Sequence, residues 1–433
     1  KGTKTVIAAA VAALSLGAGV ASADPATGTV TSGTATVEGS FTITNDASAA
    51  GGLSADKVTV EKDGQEVEVK DWSKQTLAES DKLSITLKGG ELATTFDDKA
   101  SKDLTVALGN VEGAGTISMT ATNGAEGKAY GQALTVDTLA LSEGDLNFSA
   151  SGTGAKTGGI SITTADAGAI TLGTKEDKPA DSSVPTTAAK AANITVNDAA
   201  LAVTLTASKA DFDYNAGTVA NAGTLTLAAT KGDTSGGVVT LDKDVSFANS
   251  GTVAIEGDTV KLNASYDATS EANKSGYLEV KSTAASDGTI TVGGTLTADT
   301  IKLGEKTADD AKGNRQEKNQ IVLDAETTTV AKDGKLDVKN TLTLEKNLTV
   351  QGIVNTVATD VKVIGSGDQA TNNTVKVTVD ASGSTYAGSA SLGKVTVGAG
   401  TAQDANSLTV SVVDAASAQA DSLDIAAEVK DKD

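Results

Sequence analysis

One short phrase, repeated between residues 215 and 303, limits what this chain can fold into more than any other feature. It reads Asn215-Ala216-Gly217-Thr218-Val219, then Asn221-Ala222-Gly223-Thr224-Leu225-Thr226-Leu227, then Asn249-Ser250-Gly251-Thr252-Val253-Ala254-Ile255. Shortened copies follow at Gly288-Thr289-Ile290-Thr291-Val292 and Gly294-Thr295-Leu296-Thr297. Asn and Gly accept the positive φ of a tight turn, and the Thr-apolar alternation has period two, so each copy is expected to be a turn feeding a strand with one buried face. A unit this small cannot bury that face alone. Stacked copies share a continuous apolar interior, which predicts a repeat array or solenoid.

The composition agrees with a thin aliphatic interior. Among 433 residues there are one Trp, one Met and five each of Tyr and Phe, so the core must be built from Val, Leu, Ile and Ala. A large enzyme with an aromatic-lined pocket is a poor fit. Two or three folding units are expected for this length.

Residues 1–23 read as a secretory signal peptide. Lys1 and Lys4 form a basic start, residues 6–16 an apolar stretch, and Ala21-Ser22-Ala23 a cleavage site before Asp24-Pro25. The apolar stretch is too short and too rich in Ala and Gly for a membrane span. A retained helix packed inside a filament is the competing reading. No second hydrophobic segment follows, so the mature chain is expected to lack a transmembrane segment and to be secreted.

Along the chain, residues 24–173 suggest serial hairpins and an antiparallel β-sandwich-like region, somewhat like an immunoglobulin module. Its clearest element is Val58-Thr59-Val60-Glu61-Lys62, Asp63-Gly64, Gln65-Glu66-Val67-Glu68-Val69. Asp-Gly between alternating runs signals a two-residue hairpin turn, which puts Val58, Val60, Val67 and Val69 on one face. Residues 174–192 carry Pro179 and Pro185 in a charged, small-residue setting and are expected to be a linker or excursion. Residues 193–433 then hold many short strands punctuated by Gly, Asn and Asp, which predicts a β-solenoid or a serial β-sandwich array. The fold class expected is therefore all-β. A polar, charged insertion, an exposed loop or short helix, is expected at 307–319, and helix elsewhere only at 415–422.

The Asn-x-Gly-Thr-apolar-x-apolar phrases resemble those of bacterial surface β-solenoids, namely filamentous-haemagglutinin-like adhesins and autotransporter passengers. The acidic, Cys-free composition is similar to that of surface-layer proteins. The resemblance implies a β-solenoid fold and a structural or adhesive role at a cell surface, with copies of the same chain or a cell-envelope glycan as partner. The last residues, Leu423 to Asp433, lack the aromatic strands of an outer-membrane barrel.

The residue inventory limits chemistry further. With no His and no Cys, a Ser-His-Asp triad, a Cys-His pair and thiolate or ordinary zinc sites are excluded. A formal charge of −21 opposes nucleic acid and anionic membranes. Arg315 is the only arginine and reads as a solvated loop charge. Two catalytic carboxylates are not singled out among 56 acidic residues, so no enzyme activity is expected. Calcium is the one cofactor the sequence suggests, because Asp97-Asp98, Asp211-Phe212-Asp213 and Asp309-Asp310 place hard oxygen ligands close together. The expectation that follows is a secreted structural protein that assembles with itself through strand edges. A monomeric adhesin is the alternative, and a polysaccharide-acting enzyme is a more distant one.

Overall fold

The computed structural model describes residues 33–37, 40–45, 52–55, 58–62, 65–69, 83–96, 103–124, 129–152, 156–179, 186–284, 287–304, 319–356, 360–363, 374–381, 388–392, 394–397, 407–414 and 423–425. The described residues form strands and turns without a helix, as the all-β reading expects. Residues 1–23, Trp72, the insertion at 307–318 and the expected helix at 415–422 lie outside them. The chain divides into two compact units, Lys1–Leu225 and Thr226–Asp433.

In the first unit the chain winds as parallel coils from Leu83 onward. Each coil has a long strand that bends near its middle and a shorter strand, giving three sides. The long strands are Leu83–Phe96, Val111–Gly124 and Leu139–Ser151. The next coil splits its long strand into Ile170–Leu172 and Ala192–Val196, and Phe212–Asn221 rejoins the two sides. Leu104–Ala107, Gln132–Val136, Ile160–Thr164 and Ala202–Ala207 form the third side.

Period-two alternation becomes inward columns because the ladders are in register. Phe41, Leu92, Ile117, Leu146, Ile194 and Val219 follow one another from strand to strand, and all are buried. Each such side chain removed from water stabilises the unit by about 1.5–3 kcal/mol before entropy is counted. Small inward residues would leave the narrow interior with voids, which explains the preference for Leu, Ile and Val.

The antiparallel region expected at the N-terminal end is present but short. Val58–Lys62 pairs with Gln65–Val69 in the expected register, Val58 opposite Val69 and Val60 opposite Val67. This hairpin pairs antiparallel with Gly33–Val37, which itself pairs in parallel with Leu83–Leu87. Gly52–Ala55 likewise folds back on Ser40–Asn45, which runs parallel to residues 91–96. Parallel pairing therefore reaches back to Gly33–Val37 and Ser40–Asn45 and continues through the coils from Leu83, well before residue 193. Local alternation does not distinguish the two arrangements, because both bury one face of each strand. The segment after Leu172 is an excursion within this unit: Thr174 bridges Lys190 and Asp177 bridges Thr187 before the coil resumes at Ala192.

The second unit is also three-sided. One side stacks Thr259–Leu262, Thr289–Val292, Thr327–Val330, Asn347–Val350, Thr374–Ala381 and Ser407–Asp414 in parallel. Its inward columns, Val260-Ile290-Thr328-Leu348-Val377 and Leu262-Val292-Val330-Val350-Val379, are buried throughout. A second side stacks Tyr266–Asp267, residues 295–298 and 335–338, Ile353–Asn355, Ser389–Leu392 and Leu423–Ile425. On the third side the stacking departs from chain order: Gln320–Asp324 lies between Tyr277–Ser282 and residues 300–303.

The repeated asparagines do something other than the sequence suggests. None of Asn215, Asn221 or Asn249 has positive φ, and all three are buried. At a corner the backbone leaves its ladder, and side-chain amides satisfy the groups so exposed. Asn221 donates from Nδ2 to the Gly223 carbonyl (3.0 Å) and Asn215 to the Gly173 carbonyl (3.0 Å).

Two buried tyrosines make stability sensitive to alkali. In the first unit the Tyr214 hydroxyl donates to the Ala192 carbonyl (2.8 Å), and burial pushes its phenol far above the ordinary value. In the second, burial is the main cause that pushes Tyr266 up to about 12, with Asp267 adding to it and a hydrogen bond from Asn249 opposing. A raised folded-state value means that the stabilisation is complete below the unfolded-state value of about 10 and is lost as pH rises towards 12. The expected loss from Tyr266 is on the order of 2–3 kcal/mol across that window. Melting curves from pH 9 to pH 12 should show a steep fall that is shallower in Tyr266→Phe; equal slopes would contradict this account.

Candidate functional site

The outer surface of the third side of the first unit carries a shallow groove of about 570 Å³. Its shape follows from stacked small residues. Thr105, Ala133, Ser161 and Thr204 stand opposite one another in successive strands, while their neighbours Leu134, Ile162 and Leu205 point inward and are buried. Glycines at 131, 158 and 159 line one end, where the backbone approaches closely: a Cβ on Gly158 would lie 2.1 Å from the Tyr130 carbonyl oxygen.

Two polar side chains brace this end. Asp103 accepts a hydrogen bond from the Gly131 N–H through Oδ1 (2.8 Å). Gln132 is 3 % exposed; its Nε2 donates to the Thr120 carbonyl (2.7 Å) and its Oε1 accepts from the Thr94 hydroxyl. Gln132 is therefore committed to the interior. Among the described residues the groove offers a ligand the hydroxyls of Thr105, Ser161 and Thr204 and the carboxylate of Asp103. That set can donate and accept hydrogen bonds. Sequence reasoning missed this feature, because Thr, Ser, Ala and Gly at these positions read only as the solvent face of strands.

Of the carboxylates predicted for calcium, Asp97, Asp98, Asp309 and Asp310 lie outside the described residues, as does Arg315. Asp211 and Asp213 flank the fully buried Phe212 and so share the outward face, two residues apart. Asp213 stands opposite Thr171, and the Asp211 carbonyl accepts from the Ile170 N–H (3.2 Å). No third acidic residue joins them in a cluster among the described residues. Calcium takes six to eight oxygens, so this pair would need most of its ligands from elsewhere.

Charged pairs elsewhere are surface features. Lys209–Asp166 (2.6 Å), Lys231–Asp258 (2.8 Å) and Lys346–Glu326 (2.8 Å) sit at coil corners, and Lys209 holds the Asp166 carboxyl below its usual value. Such exposed pairs contribute little to stability. Among the described residues no helix is long and apolar enough to cross a membrane. Comparison with protein-family models, curated proteins and solved structures finds no match to this chain, so its own geometry carries the functional reading.

Proposed function

We propose that this chain is a secreted bacterial structural protein that assembles with copies of itself into a surface layer or filament by adding strand edges to one another. The observation that carries the reading is the parallel coil itself: every strand offers a row of N–H and C=O groups along each edge, and the outermost strands can extend the ladder into another molecule. Gly33–Val37 and Ser40–Asn45 are not such edges, because each is paired on both sides. The edges that remain at this end are Gln65–Val69 and Gly52–Ala55, each paired on one side among the described residues.

A charge of −21 per chain opposes close approach of copies. Divalent cations such as calcium, bridging carboxylates of neighbouring molecules, offset that repulsion. Negative-stain electron microscopy of the chain from Asp24 onward is expected to show ordered lattices or fibres with calcium and their dispersal by a chelator. Dispersed single particles in both conditions would refute assembly. They would favour the second reading, a monomeric adhesin using the groove beside Asp103 for a cell-envelope glycan.

A further inference from the structure

We propose that Gln320–Asp324 is a withdrawable strand: the third side of the second unit closes behind it in register, so this ladder has two states, inserted and closed. This holds whether or not copies of the chain assemble. The chain passes from residues 300–303 to Gln320–Asp324 and then to Thr327–Val330. On the first side Thr259–Leu262 stacks directly on Thr289–Val292, and on the second Tyr266–Asp267 stacks directly on residues 296–297. Those neighbours are one ladder spacing apart, about 4.8 Å. On the third side the same two coils contribute Tyr277–Ser282 and residues 300–303, which hold Gln320–Asp324 between them and so stand two spacings apart, about 9.6 Å. The extra strand wedges open one side of a single step. Beyond it, residues 300–303 again meet 341–344 directly.

Both neighbours use the same register on the inserted strand. Gln320 stands opposite Tyr277 and Thr300, Ile321 opposite Leu278 and Ile301, Val322 opposite Glu279 and Lys302, and Leu323 opposite Val280 and Leu303. Withdrawal therefore brings Leu278 against Ile301 and Val280 against Leu303 without a slip. All four are fully buried, so the apolar columns close on themselves. A two-residue offset in either pairing would leave an apolar residue of each strand without a partner, and none occurs. On the outer face the same closure sets Glu279 directly opposite Lys302, an attractive cross-strand pair where like charges would oppose closing.

The inserted state is the favoured one, because it keeps Ile321, Val322 and Leu323 out of water and pairs both edges of the strand. Closing returns part of that: contact between the two apolar pairs, the opposed charges, and one ladder of hydrogen bonds in place of two. Gln320–Asp324 thus opens at lower cost than the strands beside it, whose release leaves the interior unfilled.

Hydrogen exchange of the wild-type chain reads the opening directly. Amides of residues 321–323 should exchange at least tenfold faster than those of 278–280 and 301–303, although all three strands are paired on both sides. Cysteines, which the chain otherwise lacks, trap the closed state. A disulfide needs Cα atoms about 4.4–6.8 Å apart, so the pair in Glu279→Cys/Lys302→Cys comes within reach only on closure. This variant should form an intramolecular disulfide under mild oxidation without denaturant, keep its β circular dichroism and lose protection at 321–323. Glu279→Cys/Val322→Cys joins adjacent strands and should lock the inserted state, abolishing the fast exchange. Equal protection of the three strands, failure of the first pair to oxidise, or its oxidation only at the rate of global unfolding would overturn the proposal.

Discussion

Gly144→Ala should lower the stability of the first unit by about 3–4 kcal/mol, on the order of a 10 °C fall in melting temperature. Gly144 has φ of 126° and lies just after a register shift in the ladder between Leu139–Ser151 and Val111–Gly124. That φ belongs to glycine, and an alanine held there costs on the order of 1–3 kcal/mol in backbone strain. The added Cβ would also fall 1.8 Å from the Gly115 carbonyl oxygen. That oxygen is backbone in the adjacent coil, so it cannot swing aside as a side chain would. A matched control is Gly159→Ala, where the nearest atom to the new Cβ is the Ala202 carbonyl oxygen at an ordinary 3.7 Å. This change should be neutral or stabilise by about 0.4–1 kcal/mol through the unfolded chain. Urea denaturation of both variants, followed by circular dichroism, checks the contrast. Similar midpoints for the two would show that the bend does not depend on a glycine at 144.

Asn249→Leu is expected to cost the second unit about 3–5 kcal/mol, although leucine is close in size and more apolar. Asn249 is fully buried. Its Nδ2 donates to the Tyr266 hydroxyl and to the Tyr277 carbonyl, both at 3.1 Å, and its Oδ1 accepts from the Gly251 N–H at 3.2 Å. Leucine removes all three bonds and leaves the partners in a corner where Gly276 packs against the Asn249 backbone. Each buried polar group so abandoned costs about 1–3 kcal/mol, and the losses do not add fully. A second readout separates the lost bonds from simple misfit. Because the Asn249 hydrogen bond opposes the upward push on Tyr266, the variant should titrate that phenol at still higher pH. An ultraviolet titration in which Tyr266 moves downward, or a variant as stable as the wild type, would rule out this role for Asn249.

Several elements were legible before any coordinates. The hairpin Val58–Lys62 with Gln65–Val69 was readable in type and register, because an Asp-Gly turn and alternating valines act over a few residues. Short strands such as Leu104–Ala107, Asn347–Val350 and Lys394–Val397 announce themselves by the same period. Where two strands meet, local pattern fails: the alternating run from Leu134 to Leu139 reads as one strand but is cut by a corner into Gln132–Val136 and Leu139–Ser151. Of the candidate site, the sequence offered only carboxylate pairs, and Asp211 with Asp213 shares a face because alternate residues on a strand must. The groove beside Asp103 was hidden, since it draws single residues from strands far apart in the chain.

What the sequence by itself determined is the all-β character, the aliphatic interior, the stacking of repeats and the exclusion of histidine and cysteine chemistry. These depend on composition and on period two, which any strand expresses locally. Only the tertiary structure decided that parallel stacking reaches back to Gly33–Val37, that Gln320–Asp324 slips between Tyr277–Ser282 and residues 300–303, and that the asparagines of the repeated phrase turn inward. The reason is that an alternating strand buries its apolar face equally well in parallel or antiparallel pairing and beside many neighbours. The choice among them rests on contacts between residues distant in sequence, where corner glycines and buried amides admit one stacking order.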